Sequence, residues 1–381
     1  MKKNTNLYYA FFRWIVNPRL YFHEGHDIIC KVCGSWSADL ERGLCMAQIS
    51  DIGIDFGTSN VVIFMKGRGI IFREPAVVSI DRDTRNILAM GTEAYRMIGR
   101  TPGNIQVIRP LAQGEMIDFD LASALLRNFI GGVIGRHMLS RPRAIMSVPS
   151  GVKDIEKKAL ITSLFDAGIR RTQMLDRCIA AALGAQANFQ GSYGCMMVDM
   201  SAGCTDLAIL YNGSVTLLSS LRVGGDQFDD AIIRYIRKKY HLLIGERTAE
   251  QIKITLGGAA KRNPRVQMDA TGRSLISNLP KTIEIESDEI YEALIDSVND
   301  LIEGIQVVIE RTPPQLASDI LESGVVLSGG AAMLYGLAET IEEVLKIPCR
   351  VAQEPRDCVA LGCGRILTEP NTLRYLLKKQ G

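Results

Sequence analysis

The chain has 381 residues, enough for two or three compact units with real cores, which excludes a peptide or a mini-scaffold. With 47% hydrophobic and 23% charged residues, and no uncharged apolar run of the roughly 18 residues that a membrane helix needs, disordered and integral membrane classes drop out. Its 44 Lys and Arg against 42 Asp and Glu leave a formal charge of +2, which points to no nucleic-acid partner.

Residues 1–45 differ in texture from the rest, holding both tryptophans (Trp14, Trp36) and the His23, His26, Cys30, Cys33 set. Lys2-Lys3 followed by apolar Leu7–Val16 hints at a signal peptide, but Arg13 interrupts the run and no small-residue cleavage site follows. The stretch is also conceivable as an aromatic, basic helix lying on a membrane. Only three residues separate the His pair from the Cys pair, which argues against a finger-type zinc site. The other cysteines, Cys178, Cys195, Cys204, Cys349, Cys358 and Cys363, lack a pairing rhythm, as expected of reduced thiols in a cytoplasm.

From Ile49 onward short β-branched runs alternate with amphipathic helical stretches, the pattern of an α/β protein. Ile52–Asp55 and Val61–Met65 flank a turn of small residues and predict a hairpin. A helix is expected from Val152 to about Ala167, with Val152, Ile155 and Ala159 on its apolar face and Gly168 stopping it. Met196–Asp199 and Leu207–Tyr211 then repeat the first hairpin around Met200–Thr205. Two related halves facing each other are the economical reading. Farther on come a helix striped by Phe228, Ile232, Tyr235 and Ile236, and a long one over Asp288–Arg311 striped by Ile290, Leu294, Val298, Leu301 and Ile305. A buried strand, Gly324–Leu327, ends in the small-residue turn Ser328–Ala332.

A polyphosphate needs close backbone N–H donors, which small residues allow, and a divalent cation held by carboxylates, usually through water. The first hairpin offers Gly57, Thr58, Ser59 and Asn60, with Asp55 at the strand end as a magnesium carboxylate. The second offers Ala202, Gly203 and Cys204, with Asp199 as the symmetric carboxylate. Either hairpin alone reads as an ordinary turn. The repetition, with a third turn at Gly329–Ala332, favours nucleotide binding.

Asp51–Asn60 resembles the first phosphate loop of the bacterial actin homologues of the MreB/Mbl family, within the actin, heat-shock chaperone and sugar-kinase superfamily. The likeness continues through Arg100–Asn104, Ile108-Arg109-Pro110, Gly245–Glu250, Arg311–Pro314 and Leu327–Gly330, and covers about Ile49 to Leu367. It implies an α/β, actin-like two-lobed ATPase fold of duplicated RNase H-like domains in four subdomains, with ATP and magnesium in the cleft. The expected division is 46–190 for the first lobe (small subdomain about 80–117), 191–344 for the second (small subdomain about 228–287), and 345–381 returning to the first. Glu250, Gln251, Ile252 and Lys253 would flank the nucleoside, and Gly330, Ala331, Ala332 and Met333 would close over it. The resemblance further implies paired filaments under the cytoplasmic membrane, working with the cell wall elongation machinery to keep rod shape. A membrane contact is expected at Met138-Leu139, flanked by Arg136, Arg141 and Arg143. Because family members begin near Met46, residues 1–45 are read as upstream sequence from a misassigned start.

Three departures stand out. Where the family has a glutamate thought to orient the attacking water, this chain has Arg177, which cannot act as a base but can bind a phosphate oxygen. Asp176, one residue away, is the possible substitute. The second loop, Met200–Cys204, and Ala331 in the third turn carry side chains where the family has glycines, and each Cβ restricts close backbone approach. Weak or lost hydrolysis is therefore expected. The alternatives are a nucleotide-binding, nonhydrolysing scaffold or a small-molecule kinase, although no catalytic carboxylate beyond the phosphate loops is assignable for a kinase.

Overall fold

The computed structural model describes residues 51–134, 142–149, 152–189 and 191–369. Met138, Leu139 and everything expected of residues 1–45 lie outside this set.

Two five-stranded sheets with the same topology carry the architecture. In the first, Ile52–Phe56 is central: Asn60–Met65 and then Gly69–Pro75 continue from it antiparallel, while Arg143–Val148 and then Arg171–Asp176 lie parallel on its other side. In the second, Cys195–Met200 is central, flanked by antiparallel Thr205–Tyr211 and Ser214–Leu221 and by parallel Val325–Ser328 and Cys349–Val351. The central strands are buried at every residue, which is why they read as continuous apolar runs instead of alternating ones. The hairpin repeat seen in the sequence thus extends to whole sheets.

Each sheet is followed by a helix, directly after the last parallel strand in the first and after six intervening residues in the second. Arg177–Gly184 follows Arg171–Asp176, and Cys358–Thr368 follows Cys349–Val351. The two helices pack backbone on backbone. A Cβ on Gly184 would fall 1.8 Å from the Cys358 carbonyl oxygen, and one on Gly362 equally 1.8 Å from that of Ala180. Only glycine permits that approach. The pairing of 184 with 358 and 180 with 362 makes the helices antiparallel.

Each sheet also carries a smaller three-stranded sheet inserted in its chain: Val78–Asp81, Ile87–Met90 and Ile105–Ile108 in one case, Leu242–Leu243, Gln267–Ser274 and Pro280–Glu286 in the other. The long helix forms over Ser287–Glu310, with all five stripe residues buried against the second core. The helix Gly225–Tyr240 buries Phe228, Ile232 and Ile236 as expected.

One amphipathic assignment is corrected. The helix forms over Asp154–Asp166, but Ile155 is 75% exposed, and the buried side chains are Leu160, Ser163 and Leu164. Val152 is buried ahead of the helix, which starts only after Lys153, whose N–H donates to Glu156 Oε2 at 2.9 Å. The capping pair moves the start two residues on, and the face carrying Leu160, Ser163 and Leu164 is the one that packs inward.

Candidate functional site

The two sheets present their central aspartates in matching settings. Asp55, one residue from the end of its strand, is opposite Ser147 on the parallel neighbour, and Ser147 Oγ donates to Asp55 Oδ1 at 3.2 Å. Asp199 is opposite Ser328, whose Oγ donates to Asp199 Oδ1 at 2.6 Å. Both carboxylates are buried, Asp55 to 5% and Asp199 to 1% exposure. The second half adds Asp206, directly across the hairpin from Asp199, where the first half has Val62 across from Asp55. Two carboxylates on facing strand positions repel one another unless a cation intervenes.

Arg177 is that cation. Its Nη1 donates to Asp55 Oδ1 at 2.7 Å and its Nε to Asp199 Oδ2 at 2.8 Å, so one guanidinium joins the first sheet to the second. Burial opposes its charge, yet the carboxylates of Asp55, Asp199 and Asp206 hold its pKa well above the usual range. Burial pushes the Asp55 carboxyl upward, against the pull of Arg177. It pushes Asp206 upward too, against a hydrogen bond from Ser220. Arg177 opens its helix, where a positive charge is unfavourable beside the dipole's positive end. The buried aspartates outweigh that cost. Asp176 caps the same helix, its Oδ1 accepting the Cys178 N–H at 2.9 Å.

The expectation that Asp55 and Asp199 hold magnesium through water does not fit this arrangement. Both oxygens of Asp199 are taken, one by Ser328 and one by Arg177, and Asp55 Oδ1 takes two donors. Two like unit charges 4 Å apart repel by about 4 kcal/mol at an effective dielectric of 20, and a divalent ion doubles that against the guanidinium. Among the described residues no group of three or more His, Cys, Asp or Glu is placed to hold a metal ion.

Above this floor opens a cleft of about 380 Å³, within the range of small-molecule sites. Its lining brings together Asp55, Gly57, Thr58, Ser59, Asn60, Arg177, Ala202, Glu250, Lys253, Gly330 and Ala331 from the expected set. The Thr58 hydroxyl is buried there with no hydrogen-bond partner, a donor placed where a ligand acceptor is wanted. Gly329, at φ +85°, is part of the same lining, and a Cβ on it would fall 2.1 Å from the Met200 carbonyl oxygen.

Other expected residues sit elsewhere. Gly203 faces the neighbouring turn, where its Cβ would meet Gln113 N at 2.6 Å, and Cys204 Sγ lies 2.9 Å from the Cβ position of Gly114. Both therefore serve packing between the second loop and that turn. Ile252 and Ala332 are core residues, Gln251 is exposed, and Met333 is exposed outside the lining. Asp199 and Asp176 lie beneath and behind the lining.

Glu250 and Lys253 do not pair with each other. The Tyr95 hydroxyl donates to Glu250 Oε2 at 2.5 Å, and Lys253 Nζ donates to Asp229 Oδ2 at 2.8 Å and to the Gly225 carbonyl at 2.9 Å. Burial and Glu250 together push the Tyr95 hydroxyl up to about 12. Arg109 lies 3.9 Å from both Asp226 Oδ1 and Glu246 Oε2. Tyr95, Gly225, Ile254 and Arg356 line the cleft without having been singled out in the sequence. Arg109, from the Ile108-Arg109-Pro110 motif, and Ser201, from the second loop, join them there.

Comparison with known proteins follows the same lines. The family model described as MreB/Mbl protein matches residues 49–375. The cell shape-determining protein Mbl of Bacillus subtilis (strain 168) is 41% identical over 323 residues, which is 85% of this chain and 97% of that protein. Among solved structures, MreB5 of Spiroplasma citri bound to ADP superposes with a TM-score of 0.80 at 31% identity, covering 87% of this chain and 98% of that one. A subunit of the MamK double helical filament superposes at 0.70 with 20% identity, covering 84% of this chain and 98% of that one, a likeness of fold alone. The α/β fold is therefore actin-like, as the sequence led us to expect.

Proposed function

The chain belongs to the MreB/Mbl family, and from that premise we propose that it is an ATP-binding, actin-like protein of cell-shape determination. It assembles into paired filaments on the inner face of the cytoplasmic membrane, where it works with the cell wall elongation machinery. The observation that carries the nucleotide reading is the buried, unpartnered Thr58 hydroxyl in a cleft rimmed by three small-residue turns. That cleft suits a nucleoside triphosphate. Backbone amides of Thr58, Ser59, Ala202 and Gly330 would face its phosphates, those of Gly57, Ser201 and Gly329 being spent on the carbonyls of Asn60, Cys204 and Pro355, and Glu250, Lys253 and Ile254 would side its nucleoside. Support comes from the ADP-bound relative, which has the same fold.

No described helix is long and apolar enough to cross a membrane, so contact with the bilayer must be peripheral in this reading. Met138-Leu139 is its proposed anchor. Two such side chains contribute only about 1.5–3 kcal/mol each, so anchoring depends on many subunits acting together and on attraction to anionic lipid. Electron microscopy with ATP on a lipid monolayer tests the proposal. Paired filaments are expected, and sugar-dependent ADP production without filaments would instead favour a kinase. In liposome co-sedimentation, the Met138→Ser, Leu139→Ser variant should lose binding, and unchanged sedimentation would discard the loop.

Arg177 favours a second element of the proposal, that hydrolysis is slow or lost. A guanidinium cannot take a proton from water, and the Asp176 carboxylate is committed to its helix cap. Phosphate release during polymerisation should fall well below that of a relative carrying glutamate at this position, and an equal rate would refute it.

A further inference from the structure

We propose that Arg177 stands in for the divalent cation of the cleft, so that this chain binds the polyphosphate of a nucleotide without requiring a metal. The inference rests on the reading of the cleft as a nucleoside triphosphate site. What it adds is the identity of the positive charge.

In a phosphate site with two acidic strand ends, some cation has to separate the carboxylates from the anionic ligand. A mobile ion usually does this, taking oxygen ligands and water in a near-octahedral shell. Here the position between Asp55 and Asp199 is filled by a covalently attached guanidinium, at 2.7 Å from one and 2.8 Å from the other. Its planar array of five N–H donors satisfies carboxylates from two directions, which an ammonium on a flexible stem does not do. Two of those donors are spent on the aspartates. The side chain also lines the cleft, and its Nη1 and Nη2 both lie 3.9 Å from the Cβ position of Gly57, at the start of the first small-residue turn. The fixed charge therefore sits under the loop assigned to the phosphates. Charge-assisted N–H donors to phosphate oxygens are the strong, directional kind.

The same geometry sets a like charge where the ordinary ion would sit. Ser328 and Arg177 already occupy both oxygens of Asp199, and Ser147 and Arg177 share Asp55 Oδ1. A divalent cation would have to displace a buried guanidinium that is only 8% exposed and is held by the charges of Asp55, Asp199 and Asp206. An ion carried in on the nucleotide would meet like charge where it normally meets carboxylates.

The test is ATP binding by the full chain, measured by calorimetry in excess magnesium and again in EDTA. The expected Kd in EDTA is within about threefold of that in magnesium, whereas a loss of about tenfold or more on chelation would overturn the inference while leaving the nucleotide site intact. Absence of binding in both buffers would overturn the cleft reading and this inference together. Arg177→Gln tests the residue itself: in a variant that stays folded by circular dichroism, magnesium should now tighten ATP binding by about tenfold or more, and equal binding in the two buffers would overturn the assignment. If that variant does not fold, the wild-type comparison decides alone. Manganese alone, followed by its paramagnetic resonance signal, should bind the wild type no more tightly than exposed carboxylates do, and tight stoichiometric binding at Asp55 and Asp199, abolished by Asp199→Asn, would overturn the proposal.

Discussion

The two halves of the molecule repeat one another strand for strand and then diverge at one helix start. Both central strands put an aspartate beside a parallel strand that supplies a serine donor, Asp55 with Ser147 and Asp199 with Ser328. Both last strands lead toward a helix with an aspartate at its N-cap position, Asp176 in one half and Asp357 in the other, although only Asp176 makes a side-chain capping bond. After that residue the halves differ. Cys358 in the second half is a buried thiol hydrogen-bonded to the Glu354 carbonyl, whereas Arg177 in the first crosses to hold both strand ends. Asp357 is also paired with Arg73 from the opposite half. A duplicated scaffold thus supplies two equivalent acids, and a single unduplicated base decides what they do.

The largest expected effect comes from removing that base. Arg177→Ala leaves two buried carboxylates facing each other and should cost about 3–5 kcal/mol in urea unfolding, the range for breaking a buried ion pair. A cost near zero would mean that the acids are already neutral, and the asymmetry would lose its meaning. The serines sharpen the comparison. Ser328→Ala removes a 2.6 Å bond to a buried carboxylate and should cost about 1.5–3 kcal/mol. Ser147→Ala, at 3.2 Å, should cost less, because longer bonds are weaker. Equal costs would say that the halves are energetically as well as topologically the same.

The smallest effect is at the mouth of the cleft. Tyr95→Phe removes one hydrogen bond between a helix of the first half and Glu250 of the second, and should cost about 0.5–1.5 kcal/mol. Burial first, and Glu250 second, raise the Tyr95 pKa from about 10 to about 12. A hydroxyl whose folded pKa is raised gives stability that is complete below pH 10 and is lost as pH rises through 12. Ultraviolet titration of the folded protein should show this late tyrosine, and Glu250→Gln should bring it toward 10.

Much of this was legible in the sequence because buried parallel strands and small-residue turns are local patterns. The hairpins around Asp55 and Asp199, and the stripe from Ile290 to Ile305, needed only neighbouring residues. Ile155 misled because the helix offers two apolar stripes, and packing against the first core selects the one with Leu160 and Leu164, which leaves Ile155 exposed. Gly203 and Cys204 are in the right loop, but their packing partner, Gln113-Gly114, is 90 residues away and carries no signal of contact. Arg177 was visible as an anomaly, and its meaning was not. Its partners lie 122 and 22 residues distant, and only the closure of two sheets around one side chain shows that it answers both.

The glycine crossing of the two antiparallel helices has a mechanical consequence. Where Gly184 and Gly362 let backbone touch backbone, sliding along the contact would drive carbonyl oxygens into neighbouring atoms, so the permitted motion is rotation about it. The crossing is then a fulcrum. Arg177 heads one of these helices, seven residues before Gly184, so the charged floor is tied to the same element that forms the fulcrum. The Tyr95–Glu250 bond belongs to two other helices, and a turn about the crossing would be resisted there by that hydrogen bond.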